Sequence, residues 1–415
     1  MTLATPISTM TTHAAVRQPG PMQAFILVVT ASLTVMVVAL LGPSLPMMEQ
    51  HFRDVPNVSY WVPMTITIPM LTMAFCSVFI GLLSDRVGRK RLLVTATVLY
   101  AVFGTAPLYL DSLWAIVASR ALLGLMESAL MVVSSSMIGD YFHGAKRDRL
   151  NTLQVGLPAA VGFVMNIVGG LTAEHGWRTP YGVYAISLLL APLMAIYLWE
   201  PVHGRAQAIA QSGRRQEPPF RPALLAWICL LGMATGFVYL VLPVNFGYLL
   251  EGLPGTSTTA IGTAYGLNSL GAVAGALVFG WVLAPRTSVA AQLGVSAVIA
   301  AAGFLMMPGA STYGAMTAAG VVNGFGCGIL LPALVTWTQR SIPSAKRGLG
   351  NGAFQSALYL GMSTSPLLVV GLQSILGGRL AAVSAIGIGL AALAGLAVLY
   401  AAGTGPFKVA AAASE

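Results

Sequence analysis

Two ionisable side chains, Arg120 and Glu127, stand inside one long apolar stretch of the sequence, where a charge is costly. Their spacing places them on one face of a helix, ~10.5 Å apart along its axis. Burial opposes ionisation of a carboxyl group and a nearby cation favours it, so a balance of the two suits a group that takes up and releases a proton. Glu127 is therefore the candidate for binding a proton or a cation, with Arg120 setting its affinity. The alternative is a structural charge pair that locks this helix against the first one.

A second set of polar side chains, which are amides and phenols without a charge, lies mostly in the later apolar stretches. Together they indicate a neutral cavity wall that suits aromatic compounds, although each one alone is also explained as a hydrogen bond between helices. They are Asn166, Tyr239, Asn245, Tyr265, Asn268, Asn323, Gln355 and Tyr359. The sequence shows no Ser/His/Asp set, no phosphate-binding loop and no metal cluster, so we expect neither an enzyme nor a bound metal or cofactor.

The composition requires a lipid environment for these residues. Hydrophobic residues make up 56% of the 415-residue chain and charged residues only 8%, so the apolar surface exceeds what a soluble core can hide. The net charge of +9 does not indicate a nucleic-acid partner, because the bases lie in short connectors between apolar stretches. We therefore expect a protein embedded in a lipid bilayer, and we also expect it to act as a monomer.

The apolar stretches predict an all-α membrane protein with twelve transmembrane helices in two six-helix bundles. Each stretch is long enough to cross a hydrocarbon core of ~30 Å. They fall near residues 24–46, 58–83, 91–110, 113–139, 151–173, 180–199, 223–246, 258–283, 288–307, 313–337, 348–375 and 380–402. Most of the 21 Lys and Arg residues then lie in connectors on one side, which the positive-inside rule assigns to the cytoplasm together with both termini.

An internal repeat divides the chain into two halves. A shift of about 200 residues superposes Pro43 on Pro243, Gly124 on Gly324 and the run at 145–147 on the run at 345–347, as a parallel repeat requires. The predicted organisation is a cytoplasmic tail at 1–22, a bundle at 23–199, a cytoplasmic linker at 200–222, a second bundle at 223–402 and a tail at 403–415.

The most distinctive connector is residues 81–91, GLLSDRVGRKR, between the second and third apolar stretches. Its glycines permit a tight reversal and a close approach of helices, and Asp85 is placed to cap a nearby helix N-terminus. This segment resembles the signature loop between helices 2 and 3 of the major facilitator superfamily. The residues that carry the resemblance, and that the family uses in gating, are Gly81, Asp85, Arg86, Gly88, Arg89 and Lys90.

Other positions are similar to the drug:proton antiporters of that superfamily. Arg120 with Gly124 resembles the arginine motif of proton-coupled members, and the glycines of the fifth stretch resemble the antiporter helix. Met165 and Asn166 replace the Gly-Pro that usually precedes the paired glycines, so this helix lacks its usual kink.

The resemblance implies a secondary transporter in a bacterial-type inner membrane that exports small amphipathic or aromatic compounds in exchange for protons. The alternatives are uptake or exchange of an organic anion, with Arg120 as its counter-charge, and a receptor that does not transport. The resemblance also places Asp85 beside the start of helix 11, near residues 348–350.

Overall fold

The structure, a computed structural model, describes residues 18–201, 220–254, 256–343 and 347–403. Most of the predicted N-terminal tail (1–22), linker (200–222) and C-terminal tail (403–415) lies outside these residues, so those assignments stay predictions.

The described chain is helical almost throughout, and we number its long helices in chain order. The bounds are α1 Pro21–His51, α2 Val58–Val87, α3 Arg89–Leu108, α4 Leu113–Tyr141, α5 Gly144–Ala173, α6 Thr179–Tyr197, α7 Pro222–Glu251, α8 Thr258–Arg286, α9 Val289–Gly309, α10 Tyr313–Ser341, α11 Arg347–Leu376 and α12 Arg379–Gly403. Among the described residues, 11 helices are long and apolar enough to cross a membrane. The remaining apolar segment, Arg379–Gly395 in α12, is shorter.

α1 and α6 are among the helices that depart from a regular α-helix, and each has a proline in one of its irregular segments. α1 is interrupted by 3₁₀ turns at Leu33–Val35 and Gly42–Ser44, and the second turn contains Pro43, which has no N–H to continue the helical hydrogen bonds. α6 begins as a 3₁₀ segment, Thr179–Leu189, with Pro180 in its first turn, and becomes α-helical only over Leu190–Tyr197. The sequence predicted a single helix there.

The packing of the helices separates the two halves of the chain, which meet most extensively at two places. Within the first half, α4 packs against α2 and α3, and α3 packs against α6. Within the second half, α10 packs against α8 and α9, while α7 packs against α11 and α9 against α12. Between the halves, α5 packs against α8 and α2 against α11, where Ser356 Oγ donates to the carbonyl of Ala74 at 2.9 Å.

The contact between α5 and α8 is a backbone-to-backbone approach that requires glycine. A Cβ atom on Gly170 would lie 2.6 Å from the carbonyl oxygen of Thr258, and a Cβ atom on Gly262 would lie 2.6 Å from that of Asn166. Small residues at such positions let helices meet without intervening side chains, which is how helices associate in lipid. The two halves are therefore held at a distance that a single methyl group would change.

We expect Gly170→Ala and Gly156→Ala to change stability in opposite directions. The methyl group at position 170 meets backbone and should cost about 1–3 kcal/mol, as overpacking does. Position 156 lies on the same helix with nothing within 4 Å of a Cβ, so alanine there should stabilise the protein by about 0.5–1 kcal/mol. Thermal unfolding of the purified variants in one detergent measures both, and equal shifts in the two variants would refute the contact.

Candidate functional site

A cavity of about 300 Å³ lies between the two halves of the described chain. Its wall is built by α1, α2 and α5 from the first half and by α7, α8, α10 and α11 from the second. Six of the eight polar residues that the sequence predicted for a cavity line this wall: Asn166, Tyr239, Tyr265, Asn268, Asn323 and Tyr359. The residues recorded in the wall carry no charged side chain.

The other two predicted residues do not line the cavity. Asn245 is 2% exposed, and its Nδ2 donates to the carbonyl of Val241 at 2.7 Å, one turn back on α7. Gln355 is half-buried on α11 outside the wall. Both were predicted because the sequence does not show on which face of an apolar helix an amide lies. The amide of Asn245 forms its hydrogen bond within its own helix, so this residue has a structural role.

One phenol of the wall is fully used by the protein. Tyr265 donates its hydroxyl hydrogen to the carbonyl of Pro243 at 2.9 Å and accepts the N–H of Gly247 at 2.9 Å. Pro243 lies inside α7, where proline removes a backbone hydrogen bond and leaves a carbonyl without its usual donor. The carbonyl that loses its donor is that of Tyr239, four residues earlier. The hydroxyl of Tyr265 instead bridges the carbonyl of Pro243 and the N–H of Gly247, one turn apart, and so fixes α8 against α7.

Arg120 is completely buried and is held by α3 and α6. One guanidinium nitrogen, Nη2, donates to the carbonyls of Phe103 and Gly104, the latter at 2.9 Å. The rings of Tyr181 and Tyr184 lie 5.1 and 5.4 Å from the guanidinium carbon, within the range of a cation–π interaction. No carboxylate of the described chain lies within ion-pair distance of Arg120, so the direct charge pair of the alternative hypothesis is not formed.

Glu127 is 2% exposed on α4 and lies outside the recorded wall of the cavity. Its Oε1 has no hydrogen-bond partner among the described residues. A buried carboxyl oxygen without a donor is poorly stabilised as an anion, and protonation removes most of that cost. The environment of Glu127 therefore suits a group whose charge state changes.

The basic connector is shorter than the sequence predicted. α2 continues to Val87 and α3 begins at Arg89, so Gly88, with φ +98°, is the only residue between them. The predicted bounds of 83 and 91 were wrong because the polar residues continue the helix, and only the glycine ends it. Gly81 lies inside α2 with open space around a Cβ position, so the close approach predicted at this glycine is not found.

The acidic partners of the connector come from distant parts of the chain. Both carboxylate oxygens of Glu200 accept backbone N–H groups of α3, one from Arg89 and one from Lys90, the latter at 3.1 Å. Glu200 thus caps the N-terminus of α3. Asp85, which the sequence suggested as a cap, pairs instead with the side chain of Arg89 at 3.3 Å.

The remaining residues of the connector complete this network or stay outside it. Arg89 also forms an ion pair with Asp140 near the end of α4. Arg86 lies in the last turn of α2, and Lys90 in the first turn of α3. The predicted approach of Asp85 to the start of α11, near residues 348–350, stays a prediction.

The opposite end of the cavity is crossed by an ion pair between the halves. Glu49 near the end of α1 and Arg379 at the start of α12 lie 3.7 Å apart, with 20% and 12% of their side chains exposed. The guanidinium carbon of Arg379 also lies 3.5 Å from the centroid of the Tyr248 ring on α7. The sequence did not predict the ion pair of Glu49 with Arg379, because both residues lie at helix ends, where solvated charges are common.

The fold and this central cavity define a helical membrane transporter. The family model of the Major Facilitator Superfamily matches residues 27–366 and 254–414, and the chain therefore belongs to that superfamily. It is a transporter and not an enzyme.

Individual relatives are distant. The chain is 29% identical to the "Multidrug efflux pump LfrA" of Mycolicibacterium smegmatis over 42% of this chain, a match that spans only 35% of LfrA. It is 26% identical to the "3-(3-hydroxy-phenyl)propionate transporter" of Escherichia coli, over 77% of this chain and 79% of that protein. A crystal structure of a bacterial homolog to the human lysosomal transporter Spinster, inward-facing and unoccupied, has a TM-score of 0.72 at 15% identity, covering 91% of this chain and 97% of that one. At that identity the likeness shows the fold alone.

We expect Arg379→Ala to lengthen the distance between the two halves at this end. Spin labels at positions 54 and 378, with the three native cysteines replaced, report that distance by pulsed electron paramagnetic resonance. The matched control is Arg178→Ala, which breaks an ion pair with Asp111 of 2.6 Å within the first half. A distance distribution that stays unchanged in Arg379→Ala, or that changes as much in the control, would contradict a role for Arg379 in closing this end.

Proposed function

We propose that the chain is a secondary active transporter that exports small amphipathic or aromatic compounds in exchange for protons, by alternating access. The observation that carries the proposal is the uncharged cavity between the halves, with phenols and amides in its wall. Such a wall binds rings by contact and orients polar groups by a few hydrogen bonds. The similarity to a protein named as a multidrug efflux pump supports export.

The proposed architecture is twelve membrane helices in two six-helix bundles, residues 23–199 and 223–402, in the cell inner membrane. The linker 200–222 and both tails then lie in the cytoplasm, and the protein acts as a monomer. Two observations support this arrangement: the basic residues concentrate in connectors of one side, and the halves meet along α2–α11 and α5–α8. The ion pair of Glu49 with Arg379 then lies at the outer end.

In the proposed mechanism, Glu127 carries the coupled proton. Arg120 is fixed by the carbonyls of α3 and by two tyrosine rings, so it supplies a positive charge to the interior of the first half without neutralising Glu127 by contact. A solute, especially a cationic one, favours ionised Glu127 in the inward-facing state, and proton uptake in the outward-facing state favours its release.

The two ends of the cavity gate access in turn. At the outer end, opening is accompanied by the loss of two interactions of Arg379: its ion pair with Glu49 and its contact with the ring of Tyr248. At the cytoplasmic end, the network of Asp85, Arg89 and Asp140 gives the α2–α3 turn a fixed shape against which α11 closes. Interactions that together contribute a few kcal/mol are sufficient to bias two conformational states of closely matched free energy.

The second candidate is uptake of an organic acid. It is favoured by the similarity to the 3-(3-hydroxy-phenyl)propionate transporter, which extends over 77% of this chain. The sequence made Arg120 the counter-charge in this alternative. That assignment loses support because Arg120 is enclosed by α3 and α6 and is not among the residues of the cavity wall.

The direction of transport is tested with a fluorescent aromatic dye. Cells that overproduce the protein should accumulate less dye than cells without it, because an exporter lowers the internal concentration. A protonophore should remove the difference, since it collapses the gradient that drives antiport. Higher accumulation in the overproducing cells would instead establish the uptake alternative.

The coupling role of Glu127 is tested by solute-induced proton release from the purified protein in detergent. Glu127→Gln should release no proton on binding a neutral or cationic solute, because glutamine has none to exchange, and its binding should lose pH dependence. Asp54→Asn is the control, since that carboxylate has 94% of its side chain exposed. Equal proton release from Glu127→Gln and the native protein would remove Glu127 from the mechanism.

A further inference from the structure

The three asparagines of the cavity wall all use their amide NH₂ groups on the protein itself. Asn166 donates to the carbonyl of Gly162 at 2.7 Å and to Ser269 Oγ at 3.1 Å. Asn268 donates to the carbonyl of Gly320 at 2.7 Å. Asn323 donates to the carbonyl of Ala300 at 2.9 Å.

These partners determine which atom of each amide remains free. A backbone carbonyl can only accept, so the atom facing it must be the NH₂ nitrogen, and the amide oxygen Oδ1 is left over. In the described chain, no donor pairs with Oδ1 of Asn166 or Asn268. Oδ1 of Asn323 has only the Cys327 thiol at 3.9 Å, which is a weak donor. The wall therefore offers three amide oxygens without a strong donor, while Asn268 and Asn323 each keep one amide hydrogen that has no partner in the described chain.

The phenols do not reverse this balance. The hydroxyl of Tyr265 is already hydrogen-bonded to the backbone of α7. The hydroxyls of Tyr239 and Tyr359 have no partner in the described chain, and each can donate or accept, so they suit either kind of ligand. Their rings add faces on which a cation or another ring binds. The property that discriminates between ligands is charge, since the wall has neutral donors and acceptors but no basic side chain that could pair with an anion.

We infer that the cavity binds small aromatic molecules that bring hydrogen-bond donors and no negative charge, such as aromatic amines and alcohols, and that it rejects carboxylates. The inference rests on the proposed function, because it takes this cavity as the solute site. An ammonium group brings three donors for the amide oxygens, whereas a carboxylate brings only acceptors. A carboxylate here would lose its hydration and find only a few neutral donors and no cation, which is costly.

Three ligands that share one phenol body test the inference by isothermal titration calorimetry on the full chain in detergent at pH 7. They are tyramine, 2-(4-hydroxyphenyl)ethanol and 3-(4-hydroxyphenyl)propionate, which end in an ammonium, a hydroxyl and a carboxylate. We expect tyramine to bind at least tenfold more tightly than the propionate, with the alcohol between them. Binding of the propionate as tightly as tyramine, or more tightly, would overturn the inference.

Two variants locate the effect in the wall. Asn166→Leu should weaken tyramine binding about tenfold, the size of one hydrogen bond to a charged group, and leave the propionate unchanged. Gln292→Leu is the control, because this amide is 4% exposed on α9 and also donates to backbone carbonyls, at Leu283 and Thr287, away from the cavity. Equal losses in both variants would contradict the site. If Asn166→Leu does not fold, the three ligands on the native protein still decide.

The outcome is separable from that of the export experiment. Selective binding of tyramine without any dye export would refute the proposed direction and leave the donor-selective cavity in place. Dye export together with tight binding of the propionate would keep the transporter function and refute the selectivity.

Discussion

A polar group at membrane depth has no water to bind, so the protein must supply its partner, and this constraint governs the interior of the molecule. Arg120 meets it with two carbonyls of α3 and two tyrosine rings. The asparagines meet it by donating to helix carbonyls, and Tyr265 meets it by bridging the carbonyl of Pro243 and the N–H of Gly247 in α7. The buried atoms that have no partner in the described chain include Oε1 of Glu127 and, on Arg120, Nε and Nη1.

The same constraint separates the proton-binding candidate from the cavity. Glu127 and Arg120 lie within the first half, whereas the wall of the cavity is shared by both halves. The solute site is therefore divided whenever the halves move apart, whereas Glu127 and Arg120 both move with the first half. Glycines at the α5–α8 contact allow the halves to approach closely, and the tie of Glu49 to Arg379 holds one end of the contact by a single ion pair. A contact of this kind opens without breaking either half.

The sequence predicted the parts of this arrangement that depend on local pattern. Apolar length identified the helices, and the scarcity of charge in them singled out Glu127 and Arg120. Polar residues in apolar helices predicted the cavity. Asn245 and Gln355 were predicted to line it but do not, because hydropathy does not show which face of a helix meets the cavity. Contacts between distant residues carried no such signal. Glu200 caps α3 from 111 residues away, and Arg379 meets Glu49 across most of the length of the chain.

The central claim is that solute and proton cross the membrane in opposite directions through this one protein. It is tested most directly in proteoliposomes with a trapped pH indicator, by adding outside an aromatic guanidinium compound, which carries N–H donors and stays charged, so that it cannot carry a proton itself. Exchange predicts that the lumen becomes alkaline as the compound enters, and that Glu127→Gln abolishes this change. A lumen that turns acidic during entry, or that keeps its pH while the compound enters, would contradict the claim.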